Sequence, residues 1–164
     1  MLIIATTRFN TKTWDENERW RENHKWSGCI YGTPKKIKEN LLPMGNMIIL
    51  EMHNDKNKIM GIGLVRNAIV INKYYKIYSE GNYNRYTYMS KYRIDQKSFT
   101  EKEKKVINKM EILLFTGSTH LKRGQGITEV PEWMLKQFVK INKLIAQTMN
   151  AMILILVNVK IVEI

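Results

Sequence analysis

The chain has 164 residues, of which 44% are hydrophobic and 26% are charged. This length and balance predict one folded domain and exclude a wholly disordered or fibrous chain. Lys and Arg number 27 against 15 Asp and Glu, so the formal net charge is +12. Such an excess favours an acidic partner: nucleic acid, an anionic membrane or an acidic protein.

The single cysteine, Cys29, excludes an intrachain disulfide and a zinc site built from several cysteines. The first apolar run is too short for a secretory signal, and the longest one, residues 151–157, is far below the roughly 18 residues of a membrane span. We therefore expect a soluble, intracellular protein, cytoplasmic or nuclear, with no membrane partner.

The first part of the chain predicts strands that alternate with short helices. Thr13 and Glu16 fit a capping box at the start of a helix, and Thr33 followed by Pro34 is typical of a second helix N-terminus. In chain order we predict a strand over 2–7, a helix over 13–24, a strand over 26–31 and a helix over 35–42.

Two β-hairpins are predicted next. The first joins 47–52 to 58–65 through a polar turn, and the second joins 68–78 to 85–94. Gly61 and Gly63 lie inside a strand of the first hairpin, which indicates a sharp bend or another backbone packed closely against it.

The last third of the chain predicts two helices around a loop. A capping box at Thr100 starts a helix that ends near Phe115, and a loop rich in glycine and basic residues covers 117–128. Pro131 opens the second helix. Its apolar residues follow a core-facing pattern, and they are Met134, Phe138, Ile141 and Ile145. The β-branched tail, 151–164, favours a further strand.

The order of elements between Lys36 and Arg66 is short helix, Pro-x-Gly turn, apolar strand, polar turn and a strand that contains Gly61-x-Gly63-x-Val65. This order resembles the PUA-like superfamily, which includes the PUA, ASCH, EVE and YTH domains. Residues 10–41 are also similar in layout to the YTH and EVE domains. The resemblance implies an α+β fold: a PUA-like small mixed β-barrel over 1–99, with surrounding helices and a helical elaboration with a tail over 100–164.

The resemblance also implies a function. In such readers a pocket of aromatic side chains holds a modified base, and Trp26 occupies a position like one wall of that pocket. Trp26, Ser27 and Trp20 would then contact a base. The protein would be a nucleic-acid-binding domain that recognises RNA, in preference to DNA, or a modified base.

The loop 117–128 is the most informative segment for binding. Its three glycines let the backbone approach a ligand, while Lys122, Arg123 and Gln125 supply charge and hydrogen bonds for backbone phosphate. His120 lies in the same loop. The segment lacks the signatures of a phosphate-binding P-loop and of a dinucleotide site. A solvated surface loop is the alternative interpretation.

A second candidate is a run of tyrosines and cations over residues 74–93, which includes Tyr83 and the last predicted strand. Alternate residues share one face of a strand, so Tyr86 and Tyr88 project together while Arg85 and Arg93 project oppositely. Tyrosines that stack on bases beside cations that hold phosphates are typical of single-strand binding. Ordinary packing of the tyrosines within a sheet is the alternative.

Two other classes of function stay open. A structural protein of an assembly would dock through the helix 131–149 and the apolar tail, and an enzyme that processes nucleic acid would use His120 as a general base or pair it with Cys29. The histidines lack the spacing of a metal site, so no metal and no cofactor are predicted. The oligomeric state is left open.

Overall fold

The structure, a computed structural model, describes residues 3–38 and 45–141, with side chains as far as residue 137. In these residues three helices pack on two β-sheets. The predicted α+β class is confirmed. The described strands form a five-stranded sheet and a separate two-stranded sheet, and no closed barrel is found among them.

The larger sheet has the strand order β6-β4-β3-β1-β7, and β2 pairs with β5 in the smaller one. β1 is parallel to β3, and the other pairings are antiparallel. The strands are β1 (Ile3–Phe9), β2 (Cys29–Thr33), β3 (Asn46–His53), β4 (Lys58–Arg66), β5 (Tyr86–Ser90), β6 (Arg93–Asp95) and β7 (Thr128–Glu129). The helices are α1 (Thr11–Asn23), α2 (Glu101–Phe115) and α3 (Glu132–Ile141), and two short 3-10 helices span Gly81–Asn84 and Gln96–Ser98.

The five-stranded sheet has an apolar core on each face, because alternate side chains of β3 point in opposite directions. Ile48 and Leu50 face one core, which α2 and α3 cover with residues such as Met110. Met47 and Ile49 face the other core, which α1 and the two-stranded sheet cover. Both faces are therefore closed, and the ends of the strands remain as places for a site.

The two glycines of β4 are explained by close approach, as the sequence indicated, but side chains rather than backbone come close. A Cβ at position 63 would overlap the hydroxyl of Tyr31, and one at position 61 would overlap Glu51 and Arg93. The absence of a side chain at Gly63 lets the two-stranded sheet pack directly on β4, and its absence at Gly61 leaves room for Glu51 and Arg93.

The helix predicted over 13–24 is confirmed as α1, but the predicted cap is wrong. The N-cap is Asn10, whose Oδ1 accepts the backbone N–H of Thr13 at 2.9 Å, while the Thr13 hydroxyl accepts the N–H of Asn10 at 3.1 Å. A complete capping box at Asn10 starts the helix two residues before Thr13. Trp14 and Trp20 are both buried beneath the helix.

No helix forms over 35–38, so that part of the predicted helix 35–42 is wrong. Thr33 ends β2 instead of capping a helix, and the backbone N–H of Ile37 donates to the hydroxyl of Tyr88 at 2.9 Å. Residues 39–42 lie outside the described residues.

The first hairpin is confirmed by the antiparallel β3–β4 pair, but the second hairpin is wrong. Residues 68–78 form no strand. The backbone N–H groups of Ile77 and Tyr78 both donate to Oδ1 of Asn84 at 2.9 Å, so a side chain takes the place of a partner strand. The next strands, β5 and β6, pair with β2 and β4.

The two later helices are confirmed where the structure describes them. Thr100 caps α2 through the expected capping box with Glu103, and α3 follows Pro131 with Met134 fully buried. The side chains of Phe138 and Ile141, residue Ile145 and the tail 151–164 lie outside the description. Among the described helices, none has the length and apolar character needed to cross a bilayer.

Candidate nucleotide-binding cleft

A cleft of about 180 Å³ opens at the C-terminal end of β1. We call it the Arg8 cleft. Its volume far exceeds the roughly 10–15 Å³ that one water needs, so it admits a larger ligand. Its walls are the end of β1, the start of α1, the loop 117–128 and the segment around Tyr78 and Tyr83. The lining residues are Thr7, Arg8, Phe9, Asn10, Thr13, Gly32, Pro34, Asn54, Tyr78, Tyr83, Lys122, Gly124, Gln125 and Gly126.

Arg8 connects β1 to the glycine-rich loop. Its Nε donates to the carbonyl of Leu121, and its Nη1 donates to the carbonyl of Gly126 at 3.2 Å. Its Nη2 donates to the hydroxyls of Thr6 at 2.9 Å and Thr128 at 2.6 Å. All of these acceptors are neutral, and one of the two Nη1 protons is left for a ligand.

The positive charge of Arg8 has no carboxylate partner among the described residues. Burial lowers its pKa to about 10, so the guanidinium still carries its charge at neutral pH. None of the residues that line the cleft is acidic. A largely buried cation in a cleft without acidic residues attracts an anionic ligand.

The loop packs closely on Arg8 at one position. A Cβ at Gly124 would overlap the guanidinium carbon of Arg8. The glycines of the loop were expected to let the backbone approach a ligand. In the structure Gly124 lets the backbone approach Arg8, and this contact shapes one wall of the cleft.

Polar groups of the β3–β4 turn meet the loop on the same side. Nδ2 of Asn54 donates to the carbonyl of Lys122 at 3.0 Å, and Nζ of Lys122 donates to Oδ1 of Asn57 at 2.9 Å. Oδ1 of Asn54 is buried and has no hydrogen-bond partner among the described residues. Since Nδ2 must face the carbonyl, Oδ1 is fixed as an acceptor.

Tyr83 supplies an exposed ring at the rim of the cleft. Its side chain is 39% exposed, and its ring meets Tyr78 edge to face, with centroids 6.2 Å apart. Burial raises the pKa of the Tyr78 phenol, whose oxygen accepts a hydrogen bond from Nδ2 of Asn17 at 3.1 Å. Tyr78 therefore holds a fixed position, and Tyr83 presents a flat surface to a ligand.

The loop residues predicted to bind are divided by the structure. Lys122 and Gln125 line the cleft, whereas Arg123 is exposed and does not line it. His120 is half-buried, and its Nδ1 accepts the backbone N–H of Lys122 at 3.2 Å. His120 therefore stabilises the conformation of the loop through this hydrogen bond.

The predicted aromatic wall, Trp26, does not line the Arg8 cleft. It is half-buried against the apolar core, and its indole N–H donates to the carbonyl of Cys29 at 3.2 Å. Ser27 is exposed beside it. Trp20 lines a different cleft, at the other end of α1. The structure does not bring Trp26 and the glycine-rich loop together.

The face of tyrosines and the opposite face of cations, predicted to bind a single strand, are not both at the surface. Tyr88 is 1% exposed, and its hydroxyl accepts the N–H of Ile37. Arg93 is buried in an ion pair with Glu51, so it is engaged inside the protein. Tyr86 is half-buried, with the guanidinium of exposed Arg85 5.4 Å from its ring centroid. Only this pair stays at the surface.

Cys29 is fully buried, which argues against a role as a nucleophile. Burial, and then the nearby charge of Glu51, raises the pKa of its thiol to about 12, so the reactive thiolate does not form at neutral pH. His120 lies in the loop, away from the core that holds Cys29. No cluster of three or more potential metal ligands occurs in the part of the chain that the structure describes.

Sequence reasoning missed Arg8 and Asn54 as cleft residues and treated Tyr83 as one member of a long tyrosine run. Arg8 did carry a signal. It directly follows residues 2–7, which are all apolar or β-branched, in the first predicted strand. A charged residue is unusual in such a buried run. Nothing in the local sequence marks Asn54, because its role depends on contact with a loop 68 residues away.

Comparisons with known proteins add no relatives: no protein-family model, no curated protein and no solved structure matches this chain.

Proposed function

We propose that this protein binds single-stranded nucleic acid, RNA in preference to DNA, and that one nucleotide occupies the Arg8 cleft. The observation that carries the proposal is the charge of Arg8. It is largely buried, and among the described residues it bonds only to neutral oxygens and lies in a cleft without acidic residues. A phosphate supplies the missing negative charge.

Each wall of the cleft has a role in this proposal. Arg8 and Lys122 attract the phosphate, and Tyr83 stacks on the base, as exposed aromatic rings do in proteins that bind single strands. Asn54 and Gln125 offer hydrogen bonds to the edge of the base. The net charge of +12 adds a favourable long-range field.

The finer fold assignment belongs to the same proposal. The parallel β1–β3 pair and the β3–β4 hairpin support a module similar to the PUA-like readers, with the two-stranded sheet packed against the larger one. In this proposal Tyr83 forms the aromatic wall of the pocket, the role that the resemblance implied for Trp26. The preference for RNA rests on this resemblance.

Fluorescence anisotropy at increasing salt tests the function. A labelled single-stranded RNA and the DNA of the same sequence are titrated with the protein over a range of KCl concentrations. We expect tighter binding to RNA, affinity that falls steadily with salt, and a log–log slope that drops by about one in Lys122→Gln. Arg8→Lys keeps the charge but loses the fork of donors, so it should weaken binding as well.

Lys109→Gln is the matched control. It removes the same charge from the exposed surface of α2, outside the residues that line the cleft. It should leave the slope close to that of the wild-type protein. Affinity that does not respond to salt, or equal effects of Lys122→Gln and Lys109→Gln, would overturn the proposal.

A further inference from the structure

A second cleft, of about 300 Å³, lies at the C-terminal end of α1. We call it the Trp20 cleft, after its largest side chain. Arg19, Trp20 and His24 form its helical side, and Lys76 and Tyr78 belong to the opposite side. It combines flat rings with positive charge, the same two features that the Arg8 cleft offers.

The rings of the Trp20 cleft are held in place by one another. The His24 ring stacks on Trp20 with centroids 4.0 Å apart and planes 15° apart, and Nδ1 of His24 lies 2.7 Å from the carbonyl of Trp20. Tyr75 meets Trp20 edge to face at 5.7 Å. Tyr74, which precedes Tyr75 in the chain, does not line the cleft but is 66% exposed.

The two clefts lie on one side of α1 and are separated by the segment 77–79, which bonds to Asn17 and Glu16 of the helix. Thr13 lines the first, His24 lines the second, and Tyr78 lines both. His24, just after α1, is eleven positions beyond Thr13, which corresponds to about 16 Å along the helix axis. A stacked strand advances roughly 3.4 Å per nucleotide, so this distance matches about four to five nucleotides.

The charges of α1 also distinguish this face from the rest of the helix. Asp15, Glu18 and Glu22 follow the spacing of a single helix face, and none of them lines either cleft. Glu16 is the one acidic residue that lines the Trp20 cleft, where its carboxylate accepts the N–H of Ser79 at 3.2 Å. A strand on this face would pass one carboxylate and avoid three.

We propose that the strand whose nucleotide occupies the Arg8 cleft continues along α1 into the Trp20 cleft, so that about four to five nucleotides are bound. Arg19 and Lys76 contact the phosphates at the far end, and Tyr74 stacks on a base there. This inference rests on the proposed function, and it adds the length and the path of the bound strand.

Competition binding measures that length. Unlabelled oligoadenylates of one to eight nucleotides displace a labelled eight-nucleotide oligoadenylate from the full chain. We expect affinity to rise with each nucleotide up to four or five and then to level off. Lys76→Gln should weaken the longer oligomers by about threefold and leave the dinucleotide unchanged, since one phosphate contact is lost.

Two further variants make the test specific. Lys12→Gln removes the same charge from an exposed position on α1 that lines neither cleft, so it should not change the length profile. Glu16→Gln removes the opposing carboxylate and should tighten the longer oligomers by about twofold. Affinity that levels off at one or two nucleotides, with Lys76→Gln equal to Lys12→Gln, would overturn the path while leaving the proposed function intact. Failure of every oligomer to bind would overturn the proposed function itself.

Discussion

Two arginines in this protein are largely buried, and they differ in what neutralises them. Between the sheets, Arg93 makes a two-pronged ion pair with Glu51, at 2.9 Å from Nε to Oε1 and 2.7 Å from Nη2 to Oε2. Tyr31 donates to the same carboxylate at 2.8 Å, and Nη1 of Arg93 reaches Asp95 at 3.0 Å. Burial lowers the pKa of Arg93, but the interactions with Glu51 and its other partners together outweigh burial, so the net shift of the pKa is upward.

Arg8 has no such partner among the described residues. Its bonds go to two carbonyls and two hydroxyls, and burial alone lowers its pKa to about 10. The contrast separates two uses of a buried charge. Arg93 is neutralised within the five-stranded sheet, whereas Arg8 has no carboxylate partner among the described residues and is suited to bind an anion.

The largest effect should come from breaking the neutralised pair. Glu51→Ala leaves Arg93 buried without its main partner, so we expect the free energy of unfolding to fall by about 3–5 kcal/mol. Urea unfolding followed by circular dichroism measures this loss. The double variant Glu51→Leu/Arg93→Met removes both charges and should recover most of the stability. A Glu51→Ala protein as stable as the wild type would show that the pair does not stabilise the fold.

A smaller effect on stability, with a large effect on binding, should follow at the Arg8 cleft. Gly124→Ala places a methyl group against the Arg8 guanidinium, so the guanidinium or the loop must shift, at a cost of about 1–3 kcal/mol. RNA affinity should fall because the wall of the cleft shifts. Gly81→Ala is the matched control, since its Cβ meets no atom within 4 Å and stability should change by less than about 0.5 kcal/mol. Equal RNA affinity in the two variants would show that the position of the loop does not affect RNA binding.

The smallest effect concerns a buried group that has no hydrogen-bond partner in the described part of the chain. His53 is fully buried, and neither ring nitrogen has a hydrogen-bond partner among the described residues. Burial, and then the charge of Lys56, lowers its pKa from 6.5. The unfolded chain therefore binds the extra proton first, and the free energy of unfolding falls as the pH drops below about 6.5.

His53→Leu removes this proton-linked loss. The variant should be as stable as the wild type at pH 7, or up to about 1 kcal/mol more stable, and its stability should respond less to acid between pH 5 and 6.5. Thermal unfolding across that range checks the difference. A variant that keeps the full wild-type slope would show that His53 is not the group that titrates.

Local sequence signals predicted those parts of the fold that depend on neighbouring residues. Two apolar runs on either side of a polar turn predicted the β3–β4 hairpin, and the Thr100 capping box predicted the start of α2. The segment 68–78 has a strand-like composition but forms no strand, because Asn84 bonds the backbone that a partner strand would otherwise bond. That contact becomes visible only in the folded chain.

The same distinction applies to the candidate site. Glycines and cations in 117–128 marked one wall of the cleft, which Lys122 and Gln125 line. Arg8 was missed because its role requires the loop to fold back over β1, where β7 brings Thr128 beside Thr6. Trp26 was chosen by resemblance, and its indole instead packs on the core.

The central claim is that Arg8, and not Arg93, meets the nucleic acid. Nuclear magnetic resonance of the isotope-labelled protein follows the Nε–H signal of each arginine while single-stranded RNA is added. The account predicts that the Arg8 signal shifts progressively and saturates with binding, while the Arg93 signal stays in place. RNA that binds without moving the Arg8 signal, or that shifts both signals equally, would contradict it.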